Sequence, residues 1–248
     1  MRVRLILFDI DGTLVDCGGA GRRALLAAFE QLFRPGSVAG AMLVPFAGKT
    51  DFRIFRELAH ALGIESKRLA RKRAEFERAY ETALRHELDQ DGGPPQRVLP
   101  GVLPLLTELA NRDNARVGLV TGNIPLGARL KLERFDLNRF FEGGGFGDDA
   151  PNRRGVARAA REDMARRSGI EFEARDVVVF GDTDEDVDCA RANGFRSIAV
   201  ETGWAEPGSL KAARPDALFE DLSDTEAVLR VIFEEGSDLA FTHSGNSE

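Results

Sequence analysis

Asp9 and Asp11 follow directly on an apolar run, Val3 to Phe8, and are the residues of this chain best placed to do chemistry. A continuous apolar run suits a strand buried on both faces of a parallel sheet, and ligands of such sheets bind just beyond the strands' carboxyl ends. Residues two apart on a strand can face the same way, so both carboxylates can converge on one small volume. Two such charges about 5 Å apart repel by roughly 3 kcal/mol at an effective dielectric near 20. A divalent cation, or a proton on one of them, relieves that repulsion. A second acidic group, Gly181-Asp182-Thr183-Asp184-Glu185-Asp186, follows another apolar run, Val177 to Phe180, in the same manner.

The elements needed to position these residues alternate along most of the chain. Arg116 to Val120 reads as a strand ending in Thr121-Gly122-Asn123, and Phe140 to Phe146 as a weaker one. Ser197 to Val200 and Ala217 to Phe219 read as short late strands. Helical spacing separates them over Val102 to Ala110, Pro125 to Phe135 and Arg154 to Arg167, the last closed by Gly169. A final helix is expected to begin with a capping box, Ser223 with Glu226. Residues 17–96 break the alternation and read as helical throughout. One helix carries Ala24, Leu25, Ala28, Phe29, Leu32 and Phe33, a second starts near Asp51 and stops at Gly63, and a third runs from about Ser66 to Leu88.

The expected fold is α/β: a Rossmann-like parallel sheet with helices on both faces, formed by residues 1–16 and 97–235, and an inserted all-helical cap over residues 17–96. Glycine-rich and proline-rich stretches, Cys17 to Gly21 and Asp89 to Pro95, form its hinges, and the tail 236–248 lacks periodicity and reads as disordered. A helical unit hinged at the rim of the sheet can close on a substrate and expel water.

The chain has 248 residues, 43% of them hydrophobic, enough for one domain with an insertion. A formal charge of −7 argues against nucleic acid held through phosphate contacts. Two widely separated cysteines, Cys17 and Cys189, suggest neither a disulfide framework nor a zinc site. With no leader-like segment and no apolar stretch of spanning length, a cytoplasmic protein without a membrane or nucleic-acid partner is expected, as a monomer or homodimer.

Four motifs in order give the chain a resemblance to the haloacid dehalogenase-like hydrolase superfamily, and within it to the phosphoglycolate phosphatase-like branch. They are Asp9-Ile10-Asp11-Gly12-Thr13, Thr121 after the second strand, a basic residue at Arg153 or Arg154, and Gly181 through Asp186. The resemblance implies a Mg²⁺-dependent phosphatase acting on a small phosphorylated metabolite through an aspartyl-phosphate. Asp9 would be the nucleophile and Asp11 the general acid/base. Mg²⁺ would be bound by Asp9, the backbone carbonyl of Asp11, and Asp182. Thr121, with Gly122 and Asn123, would hold phosphoryl oxygens, Thr13 would orient Asp11, and Asp186 would support the site from behind. Lys49 would reach the substrate from the cap.

The chain departs from the family in its basic residue. Many relatives have a Lys-Pro pair where this sequence reads Ala150-Pro151-Asn152-Arg153-Arg154-Gly155, with Arg153 the first choice and Arg154 the second. Three other readings share the same residues: a sugar-phosphate mutase, a phosphonate hydrolase using Lys49 as a Schiff base, and a non-catalytic protein that only binds phosphate ligands. Gly48-Lys49-Thr50 is not a nucleotide-binding loop, because neither the earlier glycine nor a leading strand is present. Trp204 reads as packing a turn, with the cleft wall as the alternative.

Overall fold

A computed structural model describes residues 2–33, 46, 48–90 and 94–234. The expected tail and the hinge residues Asp91 to Gly93 lie outside the described residues. Six strands form one parallel sheet: β1 (Arg4–Phe8), β4 (Ala115–Val120), β5 (Gly144–Gly145), β6 (Val177–Gly181), β7 (Arg196–Val200) and β8 (Ala217–Phe219). Their order is β5-β4-β1-β6-β7-β8. After β1 the chain builds outward to β5, then crosses to the other side of β1 to lay down β6. That reversal is the switch point at which open α/β sheets bind ligands. Phe8 stands opposite both Leu119 and Phe180. The residues that follow, Asp9, Thr121 and Asp182, therefore emerge at one level of the rim.

All five residues of β1 are buried, as two covered faces require. Ile6 and Phe8 face one apolar layer with α5 (Val102–Ala110), α6 (Pro125–Glu133) and α10 (Thr225–Phe233), while Leu5 and Leu7 face α7 (Arg153–Ser168) and α8 (Asp184–Ala192). Phe8 stacks on Phe180 with ring centroids 4.6 Å apart. The short α9 (Ser209–Ala213) covers Val187 and Ala199 through Leu210.

Between β1 and β4 lie α1 (Ala20–Phe33), α2 (Asp51–Ala61), α3 (Ser66–Arg71) and α4 (Arg73–Asp89). Their core is aromatic: Phe55 stacks on Phe76 at 3.8 Å, and Phe29 meets Phe55 edge-on at 5.6 Å. These residues belong to the same apolar cluster as Ile6 and Phe8. Sheet and insertion thus share one continuous interior.

Several local expectations are corrected. The single helix expected from Ser66 is two, because Lys72 at φ −96°, ψ 1° ends α3 and starts α4. The strand expected over Phe140 to Phe146 contracts to β5. Asn138–Phe140 forms a 3₁₀ turn instead, and Phe141 packs edge-on against Phe8. The last helix is capped by Asp224, whose side chain accepts from Ala227 N at 3.0 Å. Ser223 donates its own N–H to Asp221 and so stays in the preceding turn. A two-stranded ribbon, β2 (Val15–Asp16) with β3 (Arg97–Val98), has no counterpart in the expected elements.

Candidate active site

Three loops at the sheet rim build the site. Asp9 continues β1 by donating its N–H to Phe180 O at 3.0 Å, which anchors it beside β6. The chain then turns at Gly12, whose φ of 82° favours glycine. A side chain there would also collide with the Asp182 carboxylate. Asp182 follows β6 and accepts a long hydrogen bond, 3.3 Å, from Thr13 Oγ1. Thr13 therefore serves Asp182 and not Asp11, as had been expected. Asp186 lies one helical turn further on, in a capping box with Thr183 at the start of α8.

Carboxylate oxygens of Asp9, Asp182 and Asp186 all lie within 4.8 Å of one another, and all three residues are buried. Arg153 opens α7 and bridges two of them, with Nη2 2.9 Å from Asp9 Oδ1 and 2.5 Å from Asp186 Oδ1. Its Nε donates to the same Asp186 oxygen at 2.9 Å. Arg154 is exposed and pairs with Asp188, so of the two arginines only Arg153 joins the cluster. One guanidinium does not balance three acids. Burial, opposed by Arg153 and reinforced by Asp186 and Asp11, pushes the Asp9 pKa up to about 6. Burial beside Asp9 and Asp186 drives Asp182 well above the carboxylate range. Such a set of crowded hard oxygens, short of positive charge, fits a divalent cation.

Thr121, Gly122 and Asn123 follow β4 on the other flank. Asn123 Nδ2 donates to Thr121 Oγ1 and to Asp11 Oδ2, each at 2.8 Å. Lys131, a residue outside the four motifs, donates to the same Asp11 oxygen at 2.6 Å. Helical spacing from Pro125 places it on α6, but the length of its reach into the site is not visible in that spacing. The insertion docks on this loop: Asp51 N donates to Gly122 O at 2.8 Å, and Ile124 N donates to Asp51 Oδ2 at 3.1 Å. Thr50 caps α2 by accepting from Arg53 N, and Lys49 pairs with Glu57 at 2.5 Å.

Together these groups line a cavity of about 480 Å³, walled also by Arg22, Phe46 and Trp204. Trp204 is 61% exposed and stands on the cavity wall, not packed beneath a turn. A larger groove of about 670 Å³ runs along α2 and α3 beside Pro151 and contains none of the acidic cluster. Four cations, Arg22, Lys49, Lys131 and Arg153, line the smaller cavity together with the carboxylates of Asp9, Asp11, Asp51 and Asp182. Among the described residues no helix is long and apolar enough to cross a membrane.

The family described as haloacid dehalogenase-like hydrolase matches residues 6–191. Phosphoglycolate phosphatase 1 of Pseudomonas aeruginosa is 28% identical over 221 residues, covering 89% of this chain and 78% of that protein. The plasmid-borne phosphoglycolate phosphatase of Cupriavidus necator is 29% identical over 233 residues, covering 90% and 92%. Among solved structures, a predicted phosphatase from Clostridium acetobutylicum superposes with a TM-score of 0.66 at 18% identity, covering 93% of this chain and 100% of that one. A β-phosphoglucomutase from Clostridium difficile gives 0.64 at 15% identity, covering 93% and 96%. At those identities the superpositions speak for the fold, whereas the family match spans most of the sheet and the whole acidic cluster. The chain thus belongs to the haloacid dehalogenase-like hydrolases and is an enzyme of the phosphatase type, similar to the phosphoglycolate phosphatases above.

Proposed function

We propose that this enzyme hydrolyses the phosphoric monoester of a small metabolite by passing the phosphoryl group through Asp9, with Mg²⁺ as cofactor. The observation that carries the reading is the convergence of Asp9, Asp182 and Asp186 within 4.8 Å, under a cavity lined by cations. Asp9 Oδ would attack phosphorus as the bond to the ester oxygen breaks. Asp11 would give that oxygen its proton, then take one from the water that cleaves the acyl phosphate. Thr121 and Arg153 would hold phosphoryl oxygens. Asp9, Asp182 and the backbone carbonyl of Asp11 would hold Mg²⁺, which when bound supplies charge neutralisation between phosphate and carboxylate.

Phosphoglycolate is the first substrate to test, since relatives over most of the chain are named for it. Lys49, on the cavity wall and paired with Glu57, is a substrate contact in this reading. Phosphate release from a panel of phosphorylated metabolites with Mg²⁺ tests the proposal. Asp9→Asn should lose at least about 10³-fold in turnover, and chelation should abolish the native activity until Mg²⁺ is restored. Full turnover by Asp9→Asn would reject the nucleophile, and accumulation of an isomer without free phosphate would make the enzyme a mutase.

A further inference from the structure

Lys131 belongs to none of the motifs, yet its side chain runs into the acid/base end of the site. It is 4% exposed. Its Nζ donates to Asp11 Oδ2 and to Asn123 Oδ1, both at 2.6 Å. Asn123 donates in turn to that same Asp11 oxygen and to Thr121, so the phosphate-side loop and the acid/base residue are tied through one ammonium. The slot is closely formed: a Cβ on Gly21 of α1 would lie 2.8 Å from Nζ. Asp51 of the insertion adds negative potential around it. Burying an ammonium costs several kcal/mol unless it is paired. An apolar side chain would pack α6 at this position without that cost, so helix packing alone does not account for a lysine here.

We propose that Lys131 is a positioning residue for Asp11: by holding Oδ2 together with Asn123, it leaves Oδ1 as the oxygen that exchanges the proton. The inference rests on the reading of Asp11 as proton donor. As the bond from Asp9 to phosphorus forms and the bond to the ester oxygen breaks, the proton on Asp11 Oδ1 passes to that oxygen. Free alcohol leaves and Asp11 remains as carboxylate. Two lone-pair directions of Oδ2 are already taken by Nζ and Nδ2, and fixing the carboxyl in this way keeps Oδ1 aimed consistently from one turnover to the next.

The test compares two esters: p-nitrophenyl phosphate, whose leaving group departs without a proton, and the alkyl phosphate that the native enzyme turns over fastest. Lys131→Met should lower kcat/KM, which reports the transfer to Asp9 and leaving-group departure before water attacks, by about 10²-fold on the alkyl ester and by less than about 5-fold on the aryl ester. Lys131→Gln keeps a donor toward Asp11 and should recover part of the alkyl activity. The ratio of the two activities does not depend on the fraction of folded enzyme, so a loss of stability cannot imitate the result. An equal loss of kcat/KM on both esters overturns the proposal. Asp11→Asn measured alongside separates the failures. If it discriminates between the esters and Lys131→Met does not, only the role of Lys131 falls. If it does not discriminate, the assignment of Asp11 falls as well.

Discussion

In the proposed reaction Arg153 is both a structural and a chemical residue. Its guanidinium spans Asp9 and Asp186 with two nitrogens, a geometry that the point charge of lysine cannot copy. Arg153→Lys should therefore keep reduced turnover, lower by about 10-fold, while Arg153→Met should lose about 10²–10³-fold, as initial rates of phosphate release would show. Removing the cation also leaves buried carboxylates facing each other, so Arg153→Met should be destabilised by about 3–5 kcal/mol in urea titrations. The choice between Arg153 and Arg154 was not legible from their order in the chain. It is decided by the start of α7: Asn152 accepts from Gly155 N, and the helix then directs one arginine at Asp186 and its neighbour at Asp188 in solvent.

At the scale of elements, the start of α2 is the part of the insertion that meets the phosphate-side loop. Asp51 is partly buried there, and burial, offset by Lys131 and the Ile124 amide, pushes its pKa up to about 6. A carboxyl with a free-chain pKa of about 3.9 thus binds its proton more tightly when folded. Its contribution to stability is fully present below about pH 4 and is lost as the pH rises through about 6. Asp51→Asn keeps an oxygen for the Ile124 amide and has no charge to lose. In paired thermal melts from pH 4 to pH 7, the native Tm should fall relative to that of the variant as pH rises. A constant difference across the range would show that Asp51 does not titrate there. Patterning made the strands and most helix limits legible, because apolar runs and 3.6-residue spacing are local properties. Docking of Asp51 on Gly122 and Ile124, and of Lys131 on Asp11, was not legible, since residues far apart in sequence meet only through tertiary packing.

In the whole molecule, the aromatic stack of the insertion and the apolar face of the sheet form one interior, so the parts should not melt separately. Phe76 is buried against Phe55. Phe76→Ala should cost about 3–5 kcal/mol. Trp204 is the chain's single tryptophan and lies beyond β7, outside the insertion. Its fluorescence in urea should report the full shift of midpoint, whereas an unshifted signal would show that the helices unfold on their own. The register of β1, β4 and β6, with Phe8 opposite Leu119 and Phe180, brings Asp9, Thr121 and Asp182 to one rim. Each rim could be recognised separately as an apolar run ending in polar residues, but the reversal of strand order that makes them neighbours is a property of the complete sheet.

The small ribbon of β2 and β3 has a further consequence. Asp16 and Arg97 face each other across it, so the polypeptide departs for its helical excursion and comes home through adjoining doorways. The excursion lies within the one connection from β1 to β4, and the other sheet connections bypass it. A different set of helices could be spliced in at this seam without rethreading the sheet and its acids below, provided that its underside offered Ile10, Leu14 and Val15 an equally greasy roof. Lineages descended from such a chain are free to trade roofs, and with them substrates, while the floor that breaks the ester stays put.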